Sequence, residues 1–322
     1  MTAEGKPIVI GVDLGGSHVS AAAVDQKGTL LQFSERDIDN NKSADEILSG
    51  DIVPVIQETL EKISGVHAIV KGIGMGIPGR TDGERGVCIF APNLKWREVQ
   101  VREPLESLLH VPVFIINDVR AMTVGEKCFG NGRGFNDFIC MALGTGIGGG
   151  VVANGKLVLG AIEGAGEIGH ITVEPEGPLC GCGNKGCMEA FSSGPGVARR
   201  AMEALKRGAS SILRDAPEIT SKKVFEAARE GDALALEIWR ETGIYLGRGL
   251  ASIITVLNPR RILMAGRVSR AIEFFLPALK EELTSRARMV PPDFTEIVTA
   301  RFGKDAGMIG TAAFAFEKLE LV

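Results

Sequence analysis

His170, Cys180, Cys182 and Cys187 constrain this chain of 322 residues more than any other feature it carries. The cysteines lie 10, 12 and 17 residues beyond the histidine, in the run Cys180-Gly-Cys182-Gly-Asn-Lys-Gly-Cys187. Three thiolates and one imidazole complete a tetrahedral set for a zinc ion, and the intervening glycines let the backbone wrap it. Four protein donors leave no open position, so the expected metal is structural. A redox pair fits poorly, because neither neighbouring pair is spaced Cys-x-x-Cys. Cys88, Cys128 and Cys140 stand singly among apolar residues and read as small core side chains.

The length suits one large domain or two medium ones. Apolar residues are 45% of the chain and charged residues 24%, which allows a large core and argues against extended disorder. A net charge of −4 supplies no general field to attract nucleic acid or membrane phosphates. The longest uncharged apolar run, Phe138 to Ala153, is interrupted by glycines and does not read as a membrane span. The opening Met-Thr-Ala-Glu-Gly-Lys-Pro lacks the apolar stretch of a signal peptide, so the expected location is cytoplasmic.

The 42 glycines cluster in short blocks at 72–86, 144–150, 160–169 and 181–186, between apolar runs. Pro7–Asp13, Val19–Asp25 and Leu30–Phe33 read as an antiparallel meander with glycine turns. Residues 44–63 carry apolar side chains at helical spacing. Short strands are expected at 73–77 and 113–116, then a helix over 119–129 with Asp118 at its N-cap. A second meander follows at 138–143, 149–152 and 156–159. Helices are expected at about 195–207, 221–230, 232–257, 269–286 and 306–318, with strands at 261–265 and 296–299. Asn258-Pro259 stops the longest helix. Two α/β lobes result: 1–118 with about 305–322, and 119–304 with the zinc segment 170–187 inserted.

Asp13-Leu-Gly15-Gly16-Ser17 ends the first strand in a glycine hairpin, whose backbone N–H groups can cradle phosphate oxygens. Asp13 is placed to hold Mg²⁺, directly or through water. Leu143-Gly-Thr145-Gly146-Ile-Gly-Gly-Gly150 is a second such hairpin. One alone is as readily a plain turn; two can grip one polyphosphate. Asn117-Asp118 stands at a strand-to-helix junction, where a carboxylate can take a hydroxyl proton while the amide fixes the substrate. A zinc ion among the cysteines would also draw Glu167, His170 and Glu189 together, and paired acceptors suit polyol hydroxyls.

Together these motifs resemble the ROK family (repressors, open reading frames and sugar kinases), over nearly the whole chain from Ile8 to about Phe316. The resemblance implies an α/β fold: the two-lobed, actin-like (ribonuclease H-like) ATPase, with its active site in the cleft between lobes. It implies a glucokinase-like enzyme using ATP and Mg²⁺, with structural zinc. Asp118 would be the catalytic base on the 6-hydroxyl of a hexose, most simply glucose. Gly79, Asn93, Asn117, Glu167, His170 and Glu189 would hold the sugar. Asp13, Gly15, Gly16 and Ser17, with Thr145 and Gly146, would hold the phosphates, and Gly266 would lie by the adenosine. His170 would serve twice, with one ring nitrogen on zinc and the other facing the sugar. Family members are commonly homodimers or dimers of dimers. Three positions depart from the family pattern: His18, Arg120 and Arg267.

Other readings compete. A repressor of the same family carries a DNA-binding domain in front, and about seven residues before the first strand leave no room for one. A sugar sensor without catalysis is argued against by Asp118 and the two hairpins. A kinase for fructose, allose, N-acetylglucosamine or N-acetylmannosamine keeps every motif.

Overall fold

The computed structural model describes residues 5–65, 67–291 and 293–322, which divide into two compact units. The first holds the chain up to Phe135, with Leu157–Ala165 and Ala300–Val322; the second holds Asn136–Lys156 and Gly166–Thr299. Among the described residues no helix is long and apolar enough to cross a membrane.

The first unit begins with the expected meander: β1 (Lys6–Leu14), β2 (His18–Asp25) and β3 (Leu30–Asp37). The region read as one helix is broken in two, α1 (Ala44–Ile47) and α2 (Val53–Lys62), with a wider π turn over Leu48–Ile52 between them. The cause is Pro54, which has no N–H to offer the carbonyl of Gly50. Arg36 donates to that carbonyl instead, at 3.2 Å. Then come β4 (Ala68–Ile77), β5 (Arg80–Asp82), β6 (Val87–Ala91), β7 (Trp96–Gln100), α3 (Arg102–Leu109), β8 (Val113–Asn117) and α4 (Asp118–Phe129). Strands β5–β7 form a small antiparallel sheet that the sequence pattern does not announce.

The main sheet runs β3-β2-β1-β4-β8, with β4 and β8 parallel to β1. Alternation along β1 sends Ile8, Ile10 and Val12 to one face, where Ile47, Ile52 and Ile56 cover them. Val9 turns to the other face, under Met308, Ala312 and Phe316 of the C-terminal helix (Ala306–Lys318). That helix sits close because β1 and β4 have no side chain where it crosses. A Cβ on Gly11 would lie 1.9 Å from the Met308 carbonyl oxygen, and one on Gly74 1.9 Å from that of Thr311. Helix α4 belongs with this unit, beyond the boundary expected at residue 118, because Ala121 and Val124 pack on Ala313 and Phe314.

The second unit repeats the plan. β9 (Phe138–Leu143) and β10 (Ile147–Ala153) make an antiparallel hairpin, and β11 keeps only Lys156–Leu157. Helices α5 (Met188–Ser192), α6 (Gly194–Lys206), α7 (Ser221–Arg229) and α8 (Ala233–Leu257) follow, then β12 (Arg261–Ala265), α9 (Ile272–Arg286) and β13 (Glu296–Thr299). The sheet order is β11-β10-β9-β12-β13. In each unit a hairpin strand gains a parallel neighbour on its far side, β2-β1-β4 in one and β10-β9-β12 in the other. The long helix ends where expected, with Asn258 in the left-handed conformation at φ 44°.

Candidate active site and metal centre

In the first unit, parallel strands deliver the polar residues to one sheet edge. Asp13 near the end of β1 pairs with Gly76 on β4, and Ile77 pairs with Asn117 at the end of β8. Ligands of α/β sheets gather at such carboxyl ends. The hairpin beyond Asp13 closes by Gly15 N–H donating to His18 O at 2.8 Å. Asn93 backs it: a Cβ on Gly16 would lie 3.1 Å from that of Asn93. His18 leans over the turn, its Cε1 3.0 Å from where a Gly15 Cβ would stand.

Asn117, not Asp118, is the N-cap of α4. Its side chain accepts from Val119 N–H and Arg120 N–H, and Asp118 is the first helical residue. Asn117 Nδ2 donates to Gly79 O at 2.9 Å and to Asp118 Oδ1 at 2.8 Å, and Val119 N–H donates to the same oxygen at 2.9 Å. The carboxylate is thus aimed by two donors. Burial pushes the Asp118 carboxyl up to about 6, the nearby Asp13 charge adds to the rise, and the donors oppose it. Asp13 is itself pushed up by burial, and His18 pulls it down. Asp13 also lies hard against the C-terminal helix, its Oδ2 2.1 Å from where a Gly307 Cβ would be. Sequence reasoning missed that contact because 294 positions separate the two residues.

Arg120 turns inward. It is 2% exposed, and Nη2 donates to Ala165 O at 2.9 Å. Its departure from the family pattern therefore acts on the segment leading to Glu167. Arg267, by contrast, is exposed.

In the second unit, the hairpin Leu143–Ile147 closes by Gly144 N–H donating to Gly146 O at 2.9 Å, with Thr145 exposed at its tip. Gly266, at φ 85°, presses on its base: a Cβ there would lie 2.3 Å from Leu143 O, so only glycine fits. Glu167 leads into the single turn Ile168–His170.

The ligand atoms of His170, Cys180, Cys182 and Cys187 all lie within 4.8 Å of one another. His170 Nδ1 is 3.7 Å from Cys180 Sγ, and Cys182 Sγ is 3.7 Å from Cys187 Sγ. Sulfurs about 2.3 Å from a tetrahedral zinc stand about 3.8 Å apart, so the residues fit that ion. Burial pushes the Cys180 thiol up to about 12 and the Cys187 thiol up as well. Because Nδ1 faces Cys180 Sγ, Nε2 of His170 lies on the side of the ring away from that sulfur. Glu189 lies beside the cluster, Oε1 3.5 Å from Cys180 Sγ, and Oε2 accepts from Ile147 N–H at 2.7 Å.

The ROK family matches residues 9–318. The chain is 37% identical to a glucokinase of Thermotoga maritima over 322 residues, covering 97% of this chain and 98% of that one. A solved ROK family glucokinase from Streptomyces griseus, in complex with glucose and AMPPNP, superposes with a TM-score of 0.80. The two are 32% identical, and the match covers 95% of this chain and 98% of that one. A xylose repressor of Bacillus spizizenii is 28% identical over 308 residues, 96% of this chain and 77% of the repressor.

Proposed function

Because the chain belongs to the ROK family, we propose that it transfers the γ-phosphate of ATP to the 6-hydroxyl of glucose. The fold is the actin-like ATPase fold of the ROK sugar kinases. The single observation that carries the reading is Asp118: a carboxylate aimed by Asn117 and Val119, raised to about 6, beside the hairpin at Asp13. A base so placed is ionised at neutral pH yet still basic enough to take a hydroxyl proton.

As the sugar O6–Pγ bond forms and the bond from Pγ to ADP breaks, the O6 proton passes to Asp118. Asn117 fixes the base and holds the sugar with Gly79, Asn93, Glu167, Glu189 and Nε2 of His170. Backbone N–H groups of Gly16 and Ser17 receive phosphate oxygens on the turn that Gly15 closes, as do Thr145 and Gly146, and Gly266 leaves room for adenosine. Mg²⁺, held by Asp13 directly or through water, would neutralise charge on the transferring phosphate. His170, Cys180, Cys182 and Cys187 would hold zinc, which supplies a structural cross-link and no step of the reaction. The reading includes a cytoplasmic location and, as is common in the family, a homodimer or dimer of dimers.

The xylose repressor's similarity keeps a second reading in view, a sugar-binding regulator without catalysis. Mg-ATP with a panel of hexoses and N-acetylhexosamines separates the two. ADP release is expected with glucose as the preferred acceptor. Release with another sugar would change the substrate, and no release with any would leave the regulator.

A further inference from the structure

We propose that Glu189 is a positioning residue: it ties the Cys/His cluster to the hairpin Leu143–Ile147, so that the metal centre sets the nucleotide site as well as the sugar site. The inference rests on the kinase reading, because it assigns that hairpin to nucleotide phosphates.

Three of the six residues from 143 to 148 are glycines, and one internal bond closes the turn. Glycine gives up the most backbone freedom on ordering, so such a loop needs restraint from outside. The restraint comes from the segment after the last metal ligand. Glu189 Oε2 accepts from Ile147 N–H at 2.7 Å on one arm. Gly194 N–H donates to Gly144 O at 2.8 Å on the other. The carboxylate is packed so closely that a Cβ on Gly146 would stand 2.5 Å from its Oε2.

Glu189 is placed by its own helix, and that helix is pinned at both ends. Its first end follows directly on Cys187, which stands opposite Thr172 in an isolated bridge whose bonds are Met188 N–H to Ile171 O at 2.9 Å and Val173 N–H to Gly186 O at 2.8 Å. At the other end Arg199 and Arg200 donate to the carbonyls of Ala190 and Phe191, each at 3.2 Å. Emptying the cluster would release the side chains of Cys187 and of Cys180, the latter 3.5 Å from Glu189 Oε1, and leave the first end to its backbone bonds alone. The hairpin then loses a bond 42 residues away in sequence from the carboxylate that makes it.

Two conservative substitutions separate reach from charge. Glu189→Gln keeps an acceptor oxygen at the same distance, whereas Glu189→Asp keeps the charge but draws the oxygen back by one methylene. AMP-PNP with Mg²⁺ is titrated calorimetrically into each full-length protein without sugar, after zinc content is measured. E189D is expected to raise the nucleotide Kd about tenfold, the scale of one lost hydrogen bond, while E189Q stays within about threefold of wild type. Chelating the metal should weaken AMP-PNP binding by wild type similarly and add little to the loss already in E189D. Nucleotide affinity untouched by E189D, or untouched by chelation, overturns the inference. If E189D does not fold by circular dichroism, the chelated wild type decides alone. A wild-type chain that binds no AMP-PNP overturns the kinase reading, and this inference with it.

Discussion

Asp118→Asn is expected to lower kcat by roughly 10²–10⁴-fold while leaving the protein at least as stable as before. An amide cannot accept the O6 proton. Its Oδ1 can still accept from Val119 N–H and Asn117 Nδ2, which hold the carboxylate at 2.9 and 2.8 Å, so the geometry survives. The stability half of the expectation follows from the sign of the shift. The Asp118 carboxyl stands at about 6 against an ordinary 3.8, so between those values the folded chain holds more proton than the unfolded one. The stabilisation this proton brings is full below about pH 3.8 and lost as pH rises through about 6. At pH 8 the native state carries a partly buried charge next to Asp13, and asparagine removes it, a gain of roughly 1–2 kcal/mol after allowance for solvent. Thermal unfolding at pH 8 reads the second half, and a lower Tm for the variant would count against it. Wild-type kcat/KM for glucose should fall about tenfold per pH unit below about 6. A flat profile to pH 5, or an undiminished rate in the variant, would reject Asp118 as base.

Stripping the metal should abolish high-affinity sugar binding while sparing the first unit. At its start the segment 170–187 is held by Ile171 and Val173 against the core and by the Arg248–Glu174 ion pair, but its cysteine loop has only its own backbone bonds. Two isolated bridges, Thr172–Cys187 and Leu179–Lys185, are its only ladder pairs among the described residues, and residues 181–185 are all exposed. An ion held by these four donors would stand in for a core there, and apparent binding energies near 10–16 kcal/mol in small zinc domains give the scale. Without it Glu167, His170 and Glu189 lose the element that orients them. Glucose affinity measured before and after chelation should fall by more than about tenfold, with recovery on adding zinc. Metal-free protein of unchanged glucose affinity would refute the coupling, and elemental analysis showing no zinc in unchelated protein would refute the centre itself.

What was legible in the residues was local. The two glycine hairpins, the Cys/His run and the helix stop at Asn258 each declare themselves within a few positions, because each depends on backbone freedom or donor spacing. What was not legible depended on distant partners. β5 spans only Arg80–Asp82 and β7 reads Trp-Arg-Glu-Val-Gln, too short and too polar for a period of two to show. Their pairing with β6 makes them strands. Asn117 and Asp118 are equally good caps by type, and only the extended backbone of Asn117, φ −62° and ψ 142°, settles which of them serves. The side on which Arg120 lies was decided by a carbonyl 45 residues away. Glu189 was read as a sugar contact; its grip on Ile147 needed the fold to be seen.

The seating of the last helix on the first strand dictates the order in which the molecule can be finished. Val9, Ala22 and Val24 find their cover on Met308, Ala312, Ala315 and Phe316. A nascent chain therefore emerges with one side of its first sheet bare and keeps it bare until residues 306–318 follow. The second unit, from residues 136–156 and 166–299, has its own core complete before that helix exists. Chains halted on the ribosome before residue 306 should hold a protease-resistant second unit beside a protease-sensitive first, and the opposite digestion pattern would sink that order. At 5–20 residues per second, the exposure lasts roughly 15–60 s. For that interval chaperones meet an uncovered β-sheet, until the helix that closes it is delivered.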